Sequence, residues 1–349
     1  MDILSKIMHK TIPSLIACLA ICLASSCWAQ TFPIGPDDPI VVKALAYIAA
    51  HQNPDGGFGQ MGESDLSTTS RVVEALAAAG KDPTSYVVNG MGPDDYMLLV
   101  SKSVYEGTLG TNPVADKINI LLGLAACKLN PRDFGGRDHV QSLLSMQNES
   151  TGAFGSGPMD TAYAILALMA SGVPADHPAL QKARSYIEES QLPGGGFELF
   201  PGWGPDSNVI CVVIVCLRQM GVRGETFQKA VSALPAFQSP SNRGFFWMDS
   251  PDPSSTALGI QAILAADGDP RQPPWGEGGE NPVKYLLSTF NATTGEFFDP
   301  WGSLRPTALA VPAILGRLTP GINISESAVL CSIPALLAVL LRFNGANRE

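Results

Sequence analysis

The sequence predicts an all-α chain, an α/α-toroid in which six helical hairpins close into an inner and an outer ring of helices. Three observations point there. A glycine-rich turn ending on an aromatic residue recurs along the chain, at Gly56-Gly57-Phe58, Gly152-Ala153-Phe154, Gly195-Gly196-Phe197, Arg243-Gly244-Phe245 and Gly295-Glu296-Phe297. The helix before each turn is amphipathic and often ends in Gln, as Gln52, Gln147, Gln191 and Gln238 do. The helix after it is apolar nearly all round and rich in small residues, so it belongs inside other helices, whereas its partner keeps one wet face. Alternating the two types six times gives two concentric layers, and the asymmetry favours a closed ring over an open superhelix.

In chain order, residues 1–29 read as an export signal: Lys6, His9 and Lys10 precede an apolar run over 15–24, and Cys27-Trp28-Ala29 offers small residues for cleavage before Gln30. Lipidation at Cys27 is disfavoured by Ala24, and the run is short of the roughly 20 residues a membrane span needs. The six hairpins occupy 38–320. Outer helices are expected over 40–52, 140–147, 180–191, 227–238 and 282–290, and inner helices over 65–79, 116–129, 160–171, 206–220, 254–266 and 306–315. The aromatic turns lie 96, 43, 48 and 52 residues apart, so the first gap holds an extra, eroded hairpin running from Asp94-Asp95-Tyr96 through Gly107 and Gly110 to Asp116. Asp, Ser or Thr near the inner-helix starts suit N-caps, and Gly80, Gly172, Gly221 and Gly268 suit helix stops. Residues 321–349 carry a last apolar run over 328–341, read as a helix packed on the ring in preference to a tail touching membrane.

A net charge of −10, from 22 Lys and Arg against 32 Asp and Glu, is the wrong sign for coating phosphate backbones, which excludes nucleic acid as the expected partner. Four cysteines remain after the signal, Cys127, Cys211, Cys216 and Cys331, with no zinc-like pairing with histidine. Neither metal nor cofactor is expected. His51, His139 and His177 stand singly near helix ends and read as surface or capping residues.

The segments Gln52-Asn53-Pro54-Asp55-Gly56-Gly57-Phe58 and Gln191-Leu192-Pro193-Gly194-Gly195-Gly196-Phe197 resemble the Gln-x-x-x-Gly-x-aromatic repeat of squalene-type terpene cyclases. The stretch 160–168 is similar to the inner helices of that superfamily, which includes protein prenyltransferase β subunits and cobalamin carriers related to intrinsic factor. The resemblance implies the toroid. It does not carry the chemistry over, because the Asp-x-Asp-Asp acid motif of the cyclases is missing and the prenyltransferase zinc set is incomplete: Asp206 and Cys211 have the wrong spacing and no histidine follows His177. Asp37-Asp38, Asp94-Asp95, Asp249 and Asp252 sit beside prolines and read as helix caps.

Candidate ligand contacts fall in two groups. Asp160, Thr161 and Tyr163 are polar residues at the start of an inner helix, the kind that could line a carrier-like pocket. Phe200, Trp203, Phe246, Trp247, Phe298 and Trp301 are aromatics beyond what their turns need, and a parallel inner ring gathers them at one end as a rim for an apolar ligand. The expectation is an exported, secreted or periplasmic toroid that binds an apolar, isoprenoid-like molecule without catalysis. The alternatives are a divergent terpene cyclase using Asp94, Asp95 or Asp252, a cobalamin carrier, and a protein-binding scaffold.

Overall fold

The structure, a computed structural model, describes residues 31–59 and 62–320. The expected signal at 1–29 and the tail at 321–349 lie outside the described residues. Among the described residues twelve α-helices alternate between two layers: outer α1 (Pro39–Ala50), α3 (Pro93–Glu106), α5 (His139–Leu144), α7 (Pro178–Glu189), α9 (Glu225–Ala233) and α11 (Pro282–Ser288), and inner α2 (Leu66–Ala78), α4 (Pro113–Ala126), α6 (Pro158–Ala170), α8 (Ser207–Gln219), α10 (Pro253–Ala265) and α12 (Leu304–Ile314). Each inner helix packs on the next, and α12 packs back on α2. The ring is closed.

Closure follows from a contact that four of the five aromatic turns repeat. The first glycine of the turn has positive φ at Gly56, Gly152, Gly195 and Gly295. A Cβ at these positions would collide with a backbone carbonyl at the start or in the body of the next outer helix, at Gly92, Lys182, Lys229 and Lys43 respectively. The preceding glutamine ties the same two places together. Gln52 Nε2 donates to Gly56 O (2.8 Å) and Tyr86 O (2.8 Å), Gln147 to Gly152 O (2.9 Å) and Ala179 O (2.7 Å), and Gln191 to Gly195 O (3.0 Å) and Thr226 O (2.8 Å). Gln238 does the same for Arg243 O (3.0 Å) and Trp275 O (3.1 Å). At the last turn Phe290 replaces the glutamine, and Lys43 Nζ reaches back to Ala292 O at 2.6 Å. The sixth hairpin thus grips the first as each earlier one grips its successor, and Ile34 N adds a bond to Ile314 O at 2.9 Å.

The turn phenylalanines are the core's pegs: Phe58, Phe154, Phe197, Phe245 and Phe297 are all fully buried. Four are fixed by a threonine of the following inner helix, whose Oγ1 accepts from the Phe backbone N–H: Thr69 (2.9 Å), Thr161 (3.1 Å), Thr256 (2.9 Å) and Thr307 (2.9 Å).

The eroded second hairpin lacks both glutamine and peg. Its inner helix supplies Lys117 instead, buried, with Nζ donating to Val104 O (2.8 Å), Tyr105 O (2.7 Å) and Ser142 Oγ (2.7 Å). One cation therefore ties the end of α3 to α5, as glutamine does elsewhere.

Three expectations need correction. Asp116 and Asp160 do not cap their helices. Pro113 and Pro158, at the first helical position where a missing N–H costs nothing, start α4 and α6 earlier, and the two carboxylates turn back to Gly110 N (3.1 Å) and Ser156 N (3.0 Å). His139 is not a surface residue. It is fully buried, with Nε2 2.9 Å from Ser101 Oγ, and burial is the main cause that lowers its pKa to about 4. A two-stranded hairpin, Phe246–Trp247 against Ser250–Pro251, also interrupts the otherwise helical chain.

Candidate functional site

The C-terminal residues of α2, α4 and α6 line one cavity, as parallel inner helices require, together with the segment after α12 and the chain before α1. It measures about 810 Å³, within the usual range for small-molecule sites. The helices contribute a small, apolar wall of Ala77, Ala78, Ala125, Ala126 and Ala170 with Ile34, Leu122 and Leu315 around it, and polar groups, Thr319 and Glu74 among them, complete the lining. The rest of that face is covered by the segment after α12. Thr319 N and Oγ1 donate to Gln261 Oε1 of α10 (2.8 and 3.0 Å), and Gln219 Nε2 of α8 donates to Pro320 O (3.1 Å). Lys128 and Arg317 border the cavity and are exposed.

One ionisable group faces this cavity from within the ring. Glu74 of α2 is 5% exposed and lies in the wall. Its Oε2 accepts from Arg71 Nη1 at 2.7 Å, one turn earlier on the same helix, while Oε1 has no hydrogen-bond partner among the described residues. Burial raises the Glu74 pKa above the ordinary carboxylate value, and the Arg71 charge offsets part of that rise. Arg71 also lies over the ring of Tyr163, 4.7 Å from its centroid. Tyr163 belongs to α6, which is not a neighbour of α2 in the ring, so this contact crosses the lumen.

Arg305 of α12 stands beyond it, toward the helix N-termini, with Nη1 3.5 Å from Ser67 Oγ. It is accessible to solvent, yet desolvation is the largest cause lowering its pKa, followed by the nearby Arg71 charge.

The residues singled out from the sequence lie mostly at this opposite end. Trp203, Trp247, Phe298, Trp301 and Phe200 are exposed on the turns that lead into α8, α10 and α12, and Phe246 is half-buried. Phe200 and Trp203 meet edge to face at 5.1 Å. Asp160 and Thr161 are occupied by their own turn, through Ser156 and Phe154, while Tyr163 reaches the lumen. None of the nine lines the 810 Å³ cavity. Two of the aspartates considered as acids serve helix starts: Asp252 accepts from Ser254 N (2.9 Å) and Ser255 N (3.0 Å), and Asp95 from Gly92 N (2.8 Å). No cluster of His, Cys, Asp and Glu among the described residues could hold a metal.

Sequence reasoning missed Arg71 and Glu74. The signal was there, a charged pair at i and i+3 inside an inner helix made otherwise of small and apolar residues, where neither charge has water to face.

Type II terpene cyclase MstE from Scytonema superposes on 80% of this chain and 97% of its own with a TM-score of 0.54 at 12% identity. The fold is that of the type II terpene cyclases. A protein from Actinoplanes is equally similar, with a TM-score of 0.56 at 13% identity over 80% of this chain and 99% of its own. A glycosidase shares the fold too, with a TM-score of 0.52 at 14% identity over 79% and 95%. A variant of MstE has been solved with its substrate, geranylgeranyl dihydroxybenzoate. Among curated proteins, drimenyl diphosphate synthases from Streptomyces showdoensis and Streptantibioticus cattleyicolor are each 28% identical over 46% of this chain. The match spans 32% of each synthase's own length. No known family profile matches the chain. The resemblance carried by the glycine-aromatic turns therefore holds at the level of the fold.

Proposed function

We propose that this terpene cyclase-like toroid is exported and binds an apolar, isoprenoid-like molecule in the alanine-walled cavity, without transforming it. The observation that carries the reading is the cavity itself. Small side chains from three helices leave the space open, their part of the wall is apolar, and its size suits a ligand of some twenty to thirty heavy atoms, whose burial is worth about 25 cal/mol per Å² of apolar surface. Catalysis of the cyclase kind needs an acid kept neutral to protonate an alkene, and the carboxyl that meets the cavity is instead paired with Arg71. Export rests on the charged and apolar pattern of residues 1–29.

A second reading has its own support. Glu74 has a raised pKa, and the synthases that share a segment with this chain make a terpenoid diphosphate by name. On that reading Glu74 is the proton donor of a divergent cyclase.

Native mass spectrometry on protein extracted from its own host separates the two. Retained apolar adduct, lost when Ala125→Trp fills the cavity, is the expected result. Conversion of squalene or a linear prenyl diphosphate, abolished by Glu74→Gln, would replace binding with catalysis. A bare protein that does neither would favour the protein-binding scaffold.

A further inference from the structure

We propose that the cavity selects apolar molecules bearing a hydrogen-bond donor, such as a terpenoid alcohol, which enter donor-first and draw the buried Oε1 of Glu74 toward the cavity to accept from them. This rests on the binding reading above and names the chemistry of the ligand.

Three observations converge. Glu74 lies in the wall of the cavity, and its Oε1 is a buried acceptor with no partner among the described residues. A carboxylate oxygen left unpaired away from bulk water is costly, and a donor that reaches it recovers a charge-assisted bond. The C-terminal ends of α2, α4 and α6 converge on the same cavity, and their partial negative charge favours a donor over an anion there. Arg71 does not reverse this: although its Nε has no partner among the described residues, it does not line the cavity, its Nη1 donates to Oε2 and its guanidinium lies over Tyr163. Lys128 and Arg317 are exposed at the border, where water screens them. A diphosphate is thereby the wrong head group for the inner end. Water is the competing donor, and a ligand hydroxyl gains over it because its apolar body is buried by the same step.

The test measures binding of farnesol, farnesene and farnesyl diphosphate to the intact chain by calorimetry. Farnesol is expected to bind about tenfold or more tighter than farnesene, and farnesyl diphosphate more weakly than farnesol. Removing Glu74 alone strands a buried arginine, so the decisive variant is Arg71→Met/Glu74→Leu, which removes both charges and keeps the volume. In it the preference for alcohol over hydrocarbon should fall within twofold while farnesene affinity is kept. Equal binding of farnesol and farnesene to the wild type, tightest binding of the diphosphate, or a preference that survives the double substitution would each overturn the donor assignment and leave apolar binding standing. If none of the three binds, the cavity-binding reading fails and this inference with it.

Discussion

At the scale of single residues, His139 carries a pH signature in the acid range. Its folded pKa of about 4 lies below the ordinary value of 6.5, so between those two pH values the unfolded chain holds a proton that the native one does not. Stability rises with pH in that window. It is complete above 6.5, and up to about 3 kcal/mol is lost as the pH falls toward 4. Glu74 and Asp252 act with the opposite sign, because burial raises their pKa values and acid therefore favours their native forms. The histidine's share is isolated by comparing urea unfolding of wild type and His139→Gln at pH 7 and pH 4.5. The variant is expected to lose less stability on acidification than the wild type. The burial was illegible beforehand because Asp138 caps the helix and makes His139 look terminal, while its partner Ser101 lies 38 residues away. The glutamine clamps were half legible. Their recurrence was plain, but a repeat shows that a residue is needed without showing that its amide joins two backbone carbonyls.

At the scale of elements, the second hairpin tests how far a repeat can erode. Lys117 alone answers for the glutamine and the peg, and desolvation lowers its pKa while the neighbouring Asp116 opposes that. Lys117→Met keeps the length of the side chain, takes the lysine donor from Tyr105 O and Ser142 Oγ, and leaves Val104 O only its bond from Gly107 N. It should cost about 3 kcal/mol, and hydrogen exchange should speed up at the end of α3 and in α5 before it does elsewhere. A loss spread evenly over the ring would contradict this role. A lysine in an apolar helix reads in sequence as an interruption, so the hairpin was found by spacing and its clamp was not. Helix starts were misplaced for a related reason: Asp116 and Asp160 have the chemistry of caps, yet the prolines two or three residues earlier set the boundary.

On the scale of the whole molecule, closure makes the hairpins interdependent. Deleting 291–320 would remove α12 and strip apolar faces from both α2 and α10. The shortened chain is expected to lose its cooperative thermal transition and to associate, as read by circular dichroism and light scattering. Five hairpins that stay monomeric and melt sharply would mean that the ring behaves as a stack of independent repeats. The ring was legible in the sequence because its signals are local and repeated. The cavity was not, since it depends on which small residues from α2, α4 and α6 face a common space and on where the segment after α12 crosses.

The contact of Arg71 with Tyr163 bars the lumen between non-adjacent helices. A ligand at the alanine-walled end that meets this bar as a floor has to back out by the door it entered, so that capture and escape share one bottleneck. Substitutions at that rim would slow or quicken both together and leave the equilibrium between them unmoved.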